Sequence, residues 1–315
     1  MPPVPVAFAR PEPATTAMHA ALQAPTALRA VATFGPYKVF DSRMQEGGGA
    51  HVYRALDPRG HTVAIKVGKN GGSAVLAEAA IMRAVGPELG REHDWHARGG
   101  RYLTRLEGTG EALGASYIAV EHARGTTVAQ AIGLGTDNTH ALPEHTAVTI
   151  AINAARGLAV MHERGYLHGD IHPKNIMADV ANPEHTKVID YDFAHPLDAD
   201  GKAAISNADG NWWGYRAPEC YFNGGHWDRT SDIFALAAVL QLMLTGRQPL
   251  VPRRPAATPT AMQRAFFQVA AGGPRGEGVH NPKLRAVLEK AMQALAADRY
   301  QSMSEFADAL AAATR

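Results

Sequence analysis

A chain of 315 residues, 46% hydrophobic and 19% charged, is long enough for one large core or two smaller ones and excludes a low-hydrophobicity disordered chain. Its 31 Lys+Arg against 30 Asp+Glu leave a net charge of +1, which excludes a diffuse basic field for nucleic acid. The lone cysteine, Cys220, forbids an intrachain disulfide, and no apolar run reaches the ~18 residues of a membrane span, so the expectation is a soluble, cytoplasmic protein.

Residues 1–33 are rich in Pro, Ala and Thr, lack periodicity beyond a possible turn of helix at Met18–Leu22, and read as a mobile leader. From Tyr37, β-prone runs alternate with Gly and Pro. Tyr37–Met44 reads as a strand, Gln45–Ala50 as a glycine turn and His51–Leu56 as the returning strand. After the turn Asp57-Pro58-Arg59-Gly60 comes a third strand, Thr62–Val67. Glycines between paired strands let backbone N–H groups approach phosphates, because no Cβ stands in the way. The third strand carries Val63-Ala64-Ile65-Lys66, an apolar run ending in one lysine whose ammonium suits phosphates, or simply snorkels to water. A helix is predicted from Ser73, its N-cap, to Val85, with Gly86 as the stop. Val75, Ala79 and Met82 line one face, and Glu78 is the only carboxylate. Tyr117–Glu121 is an apolar strand that meets the polar segment His122-Ala123-Arg124-Gly125.

Beyond a Gly- and Thr-rich spacer, Ala147, Ile150, Ala151, Ala154, Leu158 and Met161 mark one face of a helix that ends at His162–Gly165. Next comes His168-Gly169-Asp170-Ile171-His172-Pro173-Lys174-Asn175, and fifteen residues after Asn175 stands Asp190, in Val188-Ile189-Asp190-Tyr191-Asp192. Phosphoryl transfer from a nucleotide needs one carboxylate to orient the attacking hydroxyl, and an amide with a second carboxylate to hold magnesium. Asp170, Asn175 and Asp190 supply that set. Ser231-Asp232-Ile233-Phe234-Ala235-Leu236 opens a helix apolar nearly all round until Gly246, hence buried. Asn281-Pro282 and Ser302-x-x-Glu305 signal the starts of two closing helices.

These motifs resemble those of bacterial, eukaryotic-like serine/threonine protein kinases over residues 37–313. The resemblance implies an α+β, bilobal fold: a small antiparallel sheet lobe with one helix over 34–123, and a larger helical lobe over 124–315. It implies ATP with Mg2+ (or Mn2+) as cofactors and proteins with Ser/Thr hydroxyls as substrates, with no nucleic-acid or membrane partner. Val52 sets the register of the glycine loop, so Gln45, Gly47 and Ala50 fall at its three glycine positions, and Gly48 lies inside it. The resemblance makes Lys66 the phosphate lysine, Glu78 its helix partner, and Ala64 and Val52 walls of the nucleotide pocket. Val120 would guard its back, Glu121 and Ala123 would offer backbone contacts to adenine, and Met177 would form the floor. Asp170 would act as the base, with Asn175 and Asp190 on the metal. Gly214-Tyr215-Arg216-Ala217-Pro218-Glu219 resembles the close of an activation segment, with Asp298-Arg299 its partner, predicting a buried Glu219–Arg299 ion pair. Asp232 resembles the aspartate that braces the catalytic loop.

Five departures stand out. Gly169 replaces the arginine that grips a phosphorylated activation loop, the segment Asp192–Gly214 holds one hydroxyl, Ser206, and Trp212 stands where a threonine is expected. Control by loop phosphorylation is therefore not expected. His172 occupies the place of a lysine on the transferring phosphate, a role that Lys174 or a protonated His172 would have to fill. Asp192 follows as either an added metal carboxylate or a solvated acid. H-G-D-x-H-P-x-N also resembles aminoglycoside- and choline-kinase-like enzymes, so a small-molecule phosphotransferase and a nucleotide-binding pseudokinase remain alternatives.

Overall fold

The structure, a computed structural model, describes residues 32–46, 50–69, 72–88, 90–205, 213–221, 226–252, 258–273 and 275–315. Gly47, Gly48, Ser206, Trp212 and nearly all of the expected leader lie outside the described residues. The chain divides into two units, one holding Arg105–His122 and the residues up to Met82, the other Arg83–Thr104 and Ala123–Arg315.

The first unit is a six-stranded antiparallel sheet in the order β1-β2-β3-β4-β6-β5. Its strands are β1 (Ala32–Phe34), β2 (Tyr37–Glu46), β3 (Ala50–Leu56), β4 (Thr62–Gly68), β5 (Leu106–Ala112) and β6 (Ala115–Glu121). Helix α1 (Ser73–Val85) follows β4 and ends where predicted, but Ser73 is its first residue and not the expected N-cap: Gly72 O accepts the first helical bond, from Leu76 N–H. Strand β2 runs two residues past the expected Met44, because Gln45 and Glu46 continue the ladder opposite Val52 and His51. Alternation along the strands sends Tyr53, Ala55, Val63, Ile65, Val67, Tyr117 and Ala119 to one face, where they form a buried core with Phe34, Tyr37 and Val39. Phe34 meets Tyr117 edge-on at 5.5 Å between ring centroids, the arrangement aromatic quadrupoles favour.

The second unit is mainly helical. It contains α2 (Glu92–Ala97), β7 (Thr126–Thr127), α3 (Val128–Ala131) and α4 (Glu144–Glu163). Short strands follow: β8 (Tyr166–Leu167), β9 (Ile176–Ala178), β10 (Lys187–Val188), β11 (His195–Pro196), β12 (Lys202–Ala204) and β13 (His226–Asp228). Helices α5 (Arg229–Thr245), α6 (Pro259–Gly272), α7 (Pro282–Ala291) and α8 (Met303–Ala313) complete it. Helix α5 is buried continuously from Thr230 to Met243, as its unbroken apolar sequence requires. It starts at a capping box of Asp228 and Ser231 and stops at Gly246, whose φ of 66° is left-handed. Asn281 and Ser302 cap α7 and α8 as predicted, although Glu305 takes the N–H of Gln301, leaving the Ser302 box half built.

Candidate active site

In the first unit the sheet register assembles the expected nucleotide-side residues. Val52 lies opposite Lys66, Ala64 opposite Val120, and Lys66 opposite Ile118. Residues directly opposite each other share a face, so Val52, Ala64, Lys66 and Val120 stand on the side away from the aromatic core. The Lys66 ammonium lies 2.6 Å from Glu78 Oε2 on α1, and both side chains are almost fully buried. The sequence thus held both halves of this pair, one in Val63-Ala64-Ile65-Lys66 and the other as the sole carboxylate of its helix. Glu121 gives its N–H to Arg105 O at 2.9 Å, and its carboxylate accepts from Arg105 N at 3.3 Å.

In the second unit, Asp170, His172, Lys174 and Asn175 form one tight loop. Asn175 donates through Nδ2 to Asp170 O at 2.9 Å and to Asp170 Oδ2 at 3.3 Å, and His172 Nε2 lies 3.2 Å from the same oxygen. Strands β9 and β10 pair Met177 with Lys187 and Ile176 with Val188, and the ladder continues as Ile189 N–H donates to Asn175 O at 3.0 Å. That ladder sets Asn175 opposite Ile189, the residue before Asp190. Asp190 itself holds φ at 69°, a left-handed conformation that costs an ordinary residue on the order of 1–3 kcal/mol and that clusters at functional sites. Tyr191 is fully buried, donating its hydroxyl to Thr104 O at 3.2 Å, while Asp192 is exposed.

The loop hangs from α5. Buried Asp232 accepts hydrogen bonds from His168 N at 2.9 Å, Gly169 N at 3.0 Å and His162 Nε2 at 2.8 Å. Burial by itself would push the Asp232 carboxyl upward, but the hydrogen bond and charge of His162, aided by His168, hold it below the usual carboxylate range. His168 spans the two segments: its Nδ1 accepts from Asp170 N at 3.4 Å, and its Nε2 lies 3.3 Å from Ile189 O. Burial lowers its pKa, outweighing the nearby carboxylates, so the ring stays neutral. His162 was legible only as the end of a helix; nothing local in the sequence marks it as the partner of a carboxylate seventy residues later.

The segment after Asp192 is tied down by main chain. Strand β11 pairs with β8, and β12 pairs with β13 as Lys202–Asp228, Ala203–Trp227 and Ala204–His226. Gly169 holds φ at 76°, and a Cβ there would meet Phe193 O at 2.7 Å and the Ile205 Cδ1 methyl at 3.7 Å. The predicted Glu219–Arg299 pair is present and bidentate, Nη1 to Oε1 at 2.7 Å and Nη2 to Oε2 at 2.8 Å, but only Arg299 is buried as expected; Glu219 is partly exposed. Arg299 also donates to Gln293 O, Ala294 O and Thr230 O, and Ser231 Oγ donates to Glu219 Oε1 at 2.8 Å. Cys220 packs beside this pair, buried, its thiol pushed well up by desolvation.

The family model described as "Protein kinase domain" matches residues 39–304. The chain belongs to the protein kinase domain family. Its α+β architecture is the fold of that family. This kinase domain is 30% identical to the probable serine/threonine-protein kinase PknB of Bifidobacterium longum over 274 residues, 82% of this chain and 37% of that protein. It is 28% identical to the serine/threonine-protein kinase PknF of Mycobacterium tuberculosis over 281 residues, 85% of this chain and 54% of that protein. It is also 28% identical to the probable serine/threonine-protein kinase PkwA of Thermomonospora curvata, covering 69% of this chain. The chain spans 27%, 37% and 29% of the length of PkwA and of the PknB proteins of B. longum and Mycobacterium leprae. Among the described residues, no helix is long and apolar enough to cross a membrane.

Proposed function

We propose that this kinase domain transfers the γ-phosphoryl group of ATP to serine or threonine hydroxyls of proteins in the cytoplasm. The observation that carries the reading is the hydrogen-bonded loop in which Asn175 holds Asp170 and the β9–β10 ladder brings Asn175 opposite Ile189, the neighbour of Asp190. The donor set suits a hard cation: with its NH2 donating to Asp170, the amide of Asn175 keeps its oxygen for metal, and Asp190 adds a carboxylate. Asn175 and Asp190 would hold Mg2+ or Mn2+, with Asp192 as an added carboxylate. When bound, ATP supplies the phosphoryl group and the metal offsets charge on its phosphates. Lys66, held by Glu78, binds the α- and β-phosphates, while Val52, Ala64, Val120 and Met177 wall the adenine. The glycine turn of Gln45, Gly47 and Gly48 covers the phosphates, Glu121 and Ala123 offer backbone polar groups to the base, and Lys174 is the cation of the catalytic loop. Asp170 orients the acceptor hydroxyl and takes its proton.

Protein acceptors are favoured by the names of the relatives and by the Glu219–Arg299 pair. Activity independent of loop phosphorylation is supported by the β12–β13 ladder, which holds Lys202–Ala204 through main-chain bonds, and by Gly169, where no arginine stands and a Cβ would lie 3.7 Å from the Ile205 Cδ1 methyl. The test is incubation with labelled ATP and magnesium, then with a generic protein acceptor or a panel of sugars and amines. Label in protein is the expected result, with Asp170→Ala lowering kcat at least about 100-fold at unchanged melting temperature. Label in a sugar or amine moves the reading to a small-molecule kinase, and ATP binding without turnover, unaltered by Asp170→Ala, to a scaffold. Ser206→Ala and phosphatase treatment are expected to leave the rate unchanged.

A further inference from the structure

Asp170 is bonded on one side only. Two donors converge on its Oδ2: Asn175 Nδ2 at 3.3 Å and His172 Nε2 at 3.2 Å. Among the described residues, no hydrogen bond reaches Oδ1. The state of the imidazole follows from its other nitrogen. Lys174 donates its backbone N–H to His172 Nδ1 at 3.2 Å, so Nδ1 presents a lone pair and the ring hydrogen sits on Nε2, aimed at Oδ2. The backbone enforces this arrangement. Asn175 N–H donates to His172 O at 2.9 Å, closing a four-residue turn with Pro173 at its second position, where the fixed φ of proline is favoured. The turn carries the Lys174 amide under the ring, and the ring is buried, with 5% of its side chain exposed.

We propose that His172 is a positioning residue: as a neutral Nε2–H donor it pins Oδ2 of Asp170, and Oδ1 is the oxygen that takes the acceptor proton. This rests on the phosphotransfer reading above. Two donors on Oδ2 stabilise negative charge there and leave Oδ1 the more basic oxygen. In the transfer, the acceptor oxygen forms its bond to the γ-phosphorus as the bond to the bridging oxygen of the leaving ADP breaks. The acceptor proton moves to Oδ1, making the carboxyl neutral. A lysine in the same place would bring a mobile cation; the histidine brings direction without charge.

The test pairs His172→Gln, whose amide N–H can reach Oδ2, with His172→Leu, which cannot donate. With the full chain, Leu is expected to lower kcat roughly 10- to 100-fold, the scale of lost positioning, with the KM for ATP nearly unchanged. Gln is expected to recover most of that loss. Nitrogen-15 spectra of the wild-type histidines, with the His172 signals assigned by their loss in the Gln variant, are expected to show Nε2 protonated and Nδ1 bare. A protonated Nδ1, an unaltered kcat in the Leu variant, or a Gln variant no better than Leu overturns the proposal. If wild type labels no acceptor of any class, the phosphotransfer reading fails and Oδ1 loses its role, whereas the tautomer still decides whether His172 holds Asp170.

Discussion

The two sets of candidate residues, one in each unit, are held by different physics. Lys66 is placed by a ladder, paired with Val52 on one side and Ile118 on the other, and its charge is met by Glu78. Asp170 sits in a loop whose backbone is directed by one buried side chain, Asp232, with three donors on its two oxygens. On the sheet, regular backbone bonding fixes position and side chains supply only chemistry. In the loop, side chains must do both. An ion pair between two side chains is therefore replaceable in a way that a carboxylate serving backbone amides is not.

The largest expected effect tests the loop. Asp232→Ala strands two buried backbone N–H groups and the His162 ring, and at about 1–3 kcal/mol for each unmet donor the loss of stability in this unit is expected to be roughly 4 kcal/mol. Denaturant melts report it. No second substitution is expected to restore it, because the His168 and Gly169 amides cannot be mutated away. Asp232 also sets an acid limit. Its folded pKa lies below the ordinary value, so its contribution is complete above pH ~3.9 and is lost as pH falls through the folded value. Asp232→Asn is expected to remove that acid-side slope; an unchanged slope would assign it to other carboxylates.

The sheet pair is expected to behave differently. Lys66→Met leaves the Glu78 charge buried without its ammonium, a loss of about 3 kcal/mol. Adding Glu78→Leu is expected to return stability to within about 1 kcal/mol of wild type, since apolar replacement of a whole buried pair is often neutral. Phosphotransfer is expected to be lost in both variants. A double variant as unstable as Lys66→Met alone would erase the distinction between the two regions.

What the sequence made legible follows the same division. The strands and α1 were readable because alternation and helical spacing left few choices, and the Lys66–Glu78 pair because the resemblance called for a partner on a helix that holds a single carboxylate. The Glu219–Arg299 pair and the bracing role of Asp232 came from resemblance, and the structure places both. His162 and Ile205 were not legible, because each acts on the loop through space: His162 on Asp232, Ile205 over the open side of Gly169. The pairing of β12 with β13 escaped for a related reason. Lys202–Ala204 is too short to carry a periodic signal, and it is its partner, with buried Trp227 opposite Ala203, that makes it a strand.

The smallest expected effect sharpens the comparison at one atom. Gly169 adopts φ of 76°, where a side chain costs roughly 1–2 kcal/mol. A Cβ at that position would also press on Phe193 O at 2.7 Å, a backbone atom that cannot rotate aside. Gly169→Ala is therefore expected to lower stability by about 2 kcal/mol, strain and contact together. The Gly169 N–H would be turned away from Asp232 as the backbone relaxes, so amide exchange at Gly169 and His168 is expected to quicken while exchange in β4 stays unchanged. Equal loosening of β4 would show that the loop and the sheet are not held independently. If the conformation is needed for the loop and not merely tolerated, kcat falls with the stability, and Gly169→Ala with Phe193 unchanged would regain neither at lower temperature.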